Sequence, residues 1–204
     1  MSSGITVFNI REYLNETDDY TNDTKDKLKI EKLLREFSCP INPDVERFFT
    51  QQAVNFAKLL NQSVTYLALT NKDAKLAGYF TLAIKSISVN AEHFSNTMRR
   101  KIERVSEVNE RTGEYILAAY LIAQLGKNYT DGRNKLISGA QLLQSALDTI
   151  RRLQYMAGGT VVFLEADNVP QLLDFYTRCG FKQFAVRQSH LPDQHKLVQL
   201  LKVL

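Results

Sequence analysis

The sequence predicts a mixed α/β domain built on one sheet. Three observations carry that prediction. Helix-periodic segments alternate with apolar runs of strand length. Two of these runs, "SVTYLALT" and "AKLAGYFTLAIKSI", are separated only by the polar turn "NKDA". The longest run, Glu114 to Gly126, is followed by a clear helix and then another apolar run. The chain has 204 residues, 44% of them hydrophobic, which suits one large domain with a sizeable core or a domain with an added arm.

Residues 1–26 are expected to form an N-terminal arm and polar linker, and 27–204 a single domain. The break is "NETDDYTNDTKD", polar and free of branched apolar residues. A helix carrying Leu28, Ile30, Leu33, Leu34 and Phe37 follows and stops at Cys39-Pro40. A second helix starts with Asn42 as cap and Pro43 at its first position, with Val45, Phe48, Phe49, Ala53, Phe56 and Leu60 on one face. The two runs around "NKDA" read as an antiparallel hairpin. In "NAEHFSNTMRRKIERVSE", Ala91, Phe94, Met98, Ile102 and Val105 recur at helical intervals, opposite the basic residues Arg99, Arg100, Lys101 and Arg104. Solvated charge is the ordinary state of such a face.

"EYILAAYLIAQLG" suits a buried central strand. The loop "KNYTDGRNKLISGA" leads into a helix with Leu142, Leu143, Ala146, Leu147, Ile150 and Leu153 inward, ended by Gly158-Gly159. "TVVFLEA" is the next buried strand, and the unit from Glu114 to Ala166 should be a parallel crossover. "NVPQLLDFYTRC" is a short helix, with Asn168 expected to cap it. "FKQFAVRQ" and "HKLVQLLKVL" close the chain as a hairpin around "SHLPDQ", with His190 and His195 exposed beside that turn.

Composition narrows the function classes. No apolar run is long enough to cross a bilayer, so no membrane association is expected. The start "MSSGITVFNIREYLNE" lacks the basic region and apolar block of a secretory signal. Cys39 and Cys179 form no CxxC pair, and His93, His190 and His195 show no ligand spacing, so no metal site is expected. Cys39 reads as core and Cys179 as a helix-end residue. A reduced cytoplasm is the simplest home. Net charge is +4, from 26 Lys and Arg against 22 Asp and Glu, which permits an anionic partner without demanding one.

One junction carries candidate chemistry. In "GRNKLISGAQLLQSAL", the small residues Ser138, Gly139 and Ala140 open the long helix, with Arg133 and Lys135 just before it. Free backbone N–H groups at such a start favour a phosphate. Ser and Gly are also common caps. The Gly-Lys-Ser/Thr ending of a P-loop is missing, as are the three spaced glycines of a dinucleotide fingerprint.

The order of strand, basic loop, small-residue helix start and "FLEADNVPQLLDFYTRCGF" resembles the GNAT superfamily of acetyl-coenzyme A-dependent N-acetyltransferases. Its loop pattern, Arg/Gln-x-x-Gly-x-Gly/Ala, is matched loosely by Lys135 to Ala140, with Lys135 for the Arg/Gln and Ser138 for the first glycine. Asn168, Tyr176, Gly180 and Phe181 match its closing segment, an Asn or Asp followed by a helix ending Tyr-x-x-x-Gly-Phe. "FSCPINPDVERFFTQQAVNF" and "VTYLALTNKDAKLAGYFTLAIKSISV" are similar to the tRNA-acetylating toxin branch. The resemblance spans roughly Phe37 to Phe184.

The resemblance implies the GNAT fold: a central mixed, mostly antiparallel sheet with a splayed parallel strand pair, flanked by helices. It implies that acetyl-CoA is the cofactor, with Leu125, Gly126 and Lys127 along its pantetheine arm, Leu136, Ile137, Ser138, Gly139, Ala140 and Gln141 at its diphosphate, Arg133 and Lys135 adding charge there, and Asn168 counted among the cofactor-site residues. An oxyanion would be held by a backbone N–H of the splayed strand, and Tyr176 would act as general acid. Glu165 is the base candidate. "FLEAD" sets it on the same side as Asp167, and burial would raise its pKa; a strand-end carboxylate in solvent, or capping the next helix, is the plainer reading. An aminoacyl-tRNA α-amine, with a pKa of about 8, needs no dedicated base. Charged tRNA is one acceptor candidate, with Arg99 to Arg104, Lys127, Arg133 and Lys135 as RNA contacts. A protein lysine or a small amine is the rival acceptor. A non-catalytic acyl-coenzyme A-binding or interaction module with an eroded loop is the rival class. A homodimer and an antitoxin are the protein partners the resemblance suggests.

Overall fold

The computed structural model describes residues 4–14, 23–58, 62–90, 92, 94–188 and 196–204. His93, His190, His195 and the turn "SHLPDQ" lie outside the described residues. The strands are β1 (Ile5–Asn9), β2 (Val64–Thr70), β3 (Leu76–Asn90), β4 (Val108–Asn109), β5 (Glu114–Lys127), β6 (Val161–Asp167), β7 (Lys182–Gln188) and β8 (Lys196–Val203). The helices are α1 (Asp23–Arg35), α2 (Pro43–Arg47), α3 (Ala53–Lys58), α4 (Asn96–Ile102), α5 (Gly139–Ala157) and α6 (Pro170–Arg178). The strand order is β1-β2-β3-β5-β6-β8-β7, with β4 on β5. The β1–β2, β2–β3, β4–β5, β6–β8 and β7–β8 ladders are antiparallel, and β5–β6 is parallel as the crossover requires. That parallel ladder runs from Ala119–Val161 to Ile122–Leu164 and stops short of both strand ends.

The chain divides into two compact units, one of residues 1–83 and 124–147, the other of residues 84–123 and 148–204. The division passes through β3, β5 and α5.

In the first unit, Asn42 caps α2 as expected: its side-chain oxygen accepts from the Asp44 and Val45 N–H groups, each at 3.1 Å. The helix runs through a π-helical turn, Phe48–Gln52, into α3. Phe49, stacked on Tyr79 at 4.5 Å and tilted against Phe37 at 4.7 Å, anchors a core that includes Ile10, Ile30, Val45, Leu67 and Leu76. Tyr79 donates its hydroxyl to the Val45 carbonyl at 2.6 Å. β3 and β5 approach closely here: a Cβ on Gly78 would stand 2.7 Å from the Gly126 carbonyl oxygen. The arm expected over 1–26 contributes more than a tether, because Ile5–Asn9 pairs with β2 and Ile10 is fully buried. The α1 helix starts at Asp23, inside the expected polar linker, and Phe37 lies beyond its end.

In the second unit, Val161 to Leu164 on β6 are buried together with Phe181, Phe184, Val198, Leu200 and Leu201. Gly158 and Gly159, at φ of 78° and 100°, end α5 as expected. The helix expected across 90–107 is shorter: Ser95 caps it, it spans Asn96–Ile102, and Val105 lies outside it, exposed. Apolar spacing alone overextends a helix when a cap intervenes.

Candidate active site

The diphosphate candidates all belong to the first unit. The turn into α5 contains two successive left-handed residues, Asp131 at φ 51° and Gly132 at φ 72°. The helix then opens with a reciprocal cap: the Gln141 N–H donates to the Ser138 hydroxyl at 3.1 Å, and the Ser138 N–H to the Gln141 side-chain oxygen at 2.9 Å. This is the capping box, whose signature is present in the sequence as "SGAQ". It has a consequence for the six expected donors. The N–H groups of Ser138 and Gln141 are engaged in it, and that of Leu136 donates to the Arg133 carbonyl at 2.9 Å. The N–H groups of Ile137, Gly139 and Ala140 have no acceptor among the described residues.

The basic residues of this loop differ in availability. Arg133 is mostly buried and pairs with Glu36 at 2.8 Å, while its Nε has no hydrogen-bond partner. The guanidinium holds the Glu36 carboxyl below its ordinary range. Lys127 donates to the Asn134 carbonyl at 3.0 Å and lies over the Tyr129 ring. Of the three loop cations expected to contact RNA, Lys135 alone is exposed with no partner among the described residues. Gly126 is a packing residue, since a Cβ there would stand 2.4 Å from the Val45 side chain, and Leu125 beside it is partly buried. Three N–H groups without an acceptor among the described residues, at the positive start of α5, are the kind of donors an anionic phosphate takes, while the Arg133 Nε is buried.

A buried hub that sequence reasoning missed organises the entry to this loop. Asn128, fully buried, donates to the carbonyls of Glu36 at 2.9 Å and Leu76 at 3.0 Å, and accepts from the Ser38 and Thr130 N–H groups. Little in the local sequence marks it, because three of its four partners, Glu36, Ser38 and Leu76, lie 52 to 92 residues away, and only Thr130 is a near neighbour.

Tyr176 belongs to the second unit. The spacing Tyr-x-x-x-Gly-Phe has a structural explanation. The Phe181 N–H donates to the Tyr176 carbonyl at 3.1 Å and the Gly180 N–H to the Thr177 carbonyl at 2.9 Å, with Gly180 at φ 86°. This is a Schellman motif, and the ring contact of Tyr176 with Phe181 at 5.9 Å is its apolar closure. Capping therefore accounts for the ring. It does not account for the hydroxyl, to which no described residue hydrogen-bonds. Burial, with the Cys179 thiol as a lesser cause, pushes the Tyr176 pKa up to about 12.

Two neighbouring expectations are corrected. Asn168 does not cap α6: Val169 occupies the cap position without a side-chain bond, and Asn168 is exposed. Pro170 at the first helical position lacks the N–H that such a cap would serve first. Glu165 does not have the raised pKa of a buried base, nor does it stand free in solvent, being partly buried and held by partners. Burial pushes its pKa up, but hydrogen bonds from Arg187 and Gln199 outweigh burial and hold it below the ordinary range. Arg187 grips both carboxylate oxygens, through Nε at 2.6 Å and through a second nitrogen, and Gln199 adds a bond at 2.8 Å. Arg187 and Gln199 were invisible as partners in the sequence, since β8 inserts between β6 and β7 only on folding.

Arg187→Ala should lower unfolding free energy by about 1–2 kcal/mol at pH 7, the range of a partly exposed charge-assisted pair. Folding lowers the Glu165 pKa, so its stabilisation is complete above about pH 5 and is lost as pH falls through the depressed value. Urea denaturation of both proteins at pH 7 and pH 3 checks this: the difference should shrink at the lower pH.

No protein-family model matches the chain, and no curated protein sequence does. Solved structures do. AtaT complexed with acetyl-methionyl-tRNAfMet is 15% identical, with a TM-score of 0.60 over 96% of this chain and 94% of that one. A tyrosine-to-phenylalanine mutant of the AtaT toxin, bound to the C-terminus of the antitoxin AtaR and acetyl-CoA, is 17% identical, with a TM-score of 0.54 over 98% and 92%. The corresponding kind of mutant of KacT is 14% identical, with a TM-score of 0.60 over 98% and 94%. Likeness at such identities establishes the fold: a mostly antiparallel mixed sheet with the parallel β5–β6 pair, the GNAT fold. Among the described residues no helix is long and apolar enough to cross a membrane.

Proposed function

We propose that this chain is an acetyl-CoA-dependent N-acetyltransferase, that its acceptor is the α-amine of an aminoacyl-tRNA, and that an antitoxin is its protein partner. The observation that carries the reading is the Tyr176 hydroxyl: its ring is pinned by the helix cap, its proton is retained by burial, and no described residue uses it. The solved relatives include a toxin with acetylated methionyl-tRNA and a toxin with acetyl-CoA and an antitoxin segment, which supports the cofactor, acceptor and partner.

Acetyl-CoA would supply an activated acetyl thioester. The free N–H groups of Ile137, Gly139 and Ala140 would hold its diphosphate, with Arg133 and Lys135 adding charge. Tyr176, protonated at every working pH, would direct its hydroxyl at the departing sulfur and stabilise negative charge developing there. Glu165, held ionised by Arg187, serves β6–β8–β7 as an anchor in this reading. An acceptor that needs no protein base fits that arrangement. An α-amine with a pKa of about 8 is about one-fifth neutral at a pH of about 7.4, against about one part in a thousand for a lysine amine at about 10.4. This favours aminoacyl-tRNA over protein lysine.

The test is to incubate the protein with acetyl-CoA and a mixture of charged tRNAs, polyamines and lysine peptides, and to identify products by mass spectrometry. N-acetylated aminoacyl-tRNA is expected. Acetylated peptide or polyamine alone would replace the acceptor, and calorimetry without acetyl-CoA binding at high micromolar concentration would overturn the enzyme reading.

A further inference from the structure

Within the second unit, a pocket of about 190 Å³ opens between α4, the turn from α6 into β7, and β8. Lys101, Lys182 and Lys202 all line it, and no acidic residue does. Among the described residues none of the three has an ion-pair partner. Lys202 is held in place: its ammonium donates to the Cys179 carbonyl at 2.8 Å and lies 5.9 Å from the centre of the Phe181 ring. The Schellman turn makes room for it, because a Cβ on Gly180 would stand 3.2 Å from the same nitrogen. One bond to a neutral carbonyl leaves two of the three ammonium protons for a ligand. Three cations lining one pocket, with no acidic residue in its lining, raise the local potential, and an anion relieves it.

We infer that this pocket is a phosphate subsite for the RNA acceptor. The inference rests on the acceptor reading above and gives it a specific place of contact. The pocket is small beside the roughly 300–1,000 Å³ of sites that take whole drug-sized ligands, so it receives one group of a larger molecule. Arg100 and Arg104 continue the positive charge along and beyond α4, exposed and without an ion pair among the described residues. A chain of phosphodiesters uses that continuation, whereas a single phosphate has no need of it. Contacts of this kind position an RNA without reading its sequence.

The test compares the natural protein with the double variant Lys101→Ala/Lys182→Ala, both exposed positions. Charged-tRNA binding is measured across a salt series, and acetyl-CoA binding by calorimetry. The variant should bind tRNA more weakly at low salt, with a log K against log salt slope shallower by about one, the loss of one phosphate contact. Its acetyl-CoA affinity should be unchanged. An unchanged tRNA slope and affinity would overturn the subsite and leave the acceptor reading intact. A fall in acetyl-CoA affinity would reassign the phosphate to the coenzyme. Absence of tRNA binding by the natural protein would remove both the subsite and the acceptor.

Discussion

Tyr176→Phe is expected to lower turnover about 10²–10⁴-fold, the usual worth of a positioned general acid, with little change in stability. The substitution is unusually clean at this position. The ring contacts with Phe175 and Phe181 persist, and both Schellman bonds are backbone, so the cap survives. Only the hydroxyl disappears, and no described residue loses a hydrogen bond with it. Urea denaturation should therefore superimpose on that of the natural protein, and acetyl-CoA affinity should hold, while kcat falls. Equal turnover in the two proteins would point instead to a non-catalytic module. The pH profile is a second readout. Because burial pushes the Tyr176 pKa up to about 12, kcat/KM should rise as the acceptor amine becomes neutral toward a pH of about 8, with no falling limb from Tyr176 over the range in which the aminoacyl ester survives.

Ser138→Asp is expected to weaken acetyl-CoA binding roughly 100-fold while leaving the fold as stable as before. A carboxylate is as good an N-cap as a hydroxyl, and it also complements the positive helix end, so α5 should start where it does now. The same carboxylate brings a like charge to the proposed diphosphate; a pair of unit charges 4 Å apart near a protein surface interacts by about 4 kcal/mol, less after screening. Calorimetry gives the affinity and thermal melting the stability. If the N–H groups of Ile137, Gly139 and Ala140 had only a structural role, the Asp variant would bind as tightly as the natural chain. The capping box makes the position informative, because it engages two of the six donors expected for the cofactor, the Leu136 N–H is taken by the Arg133 carbonyl, and three stay open.

Much of the fold was legible in the chain because its signals are local. The Asn42-Pro43 start of α2, the "NKDA" turn, the paired glycines after α5 and the parallel crossover all depend on neighbours in sequence, and all appear as expected. The shortened α4 and the early α1 show where periodicity misjudges an end. At the site, the small residues opening α5 were legible as caps, whereas Tyr-x-x-x-Gly-Phe was read from a family resemblance, and the structure adds that its spacing is that of a Schellman cap. Asn168 was misread because an asparagine before a helix is so often its cap.

By itself, then, the sequence determined the alternation of helices and strands, the helix ends, and the placement of Tyr176 at the third residue from the end of α6, since each depends on dihedral preference and spacing within a few residues. Tertiary structure alone decided the state of the charged groups. Glu165 is an ionised anchor because β8 brings Gln199 beside it and β7 brings Arg187. Arg133 is tied to Glu36 across 97 residues, and Lys101, Lys182 and Lys202 share one pocket. The charge state of a side chain depends on its solvation and on which opposite charge lies within a few ångströms, and no local pattern encodes a neighbour that arrives from another strand.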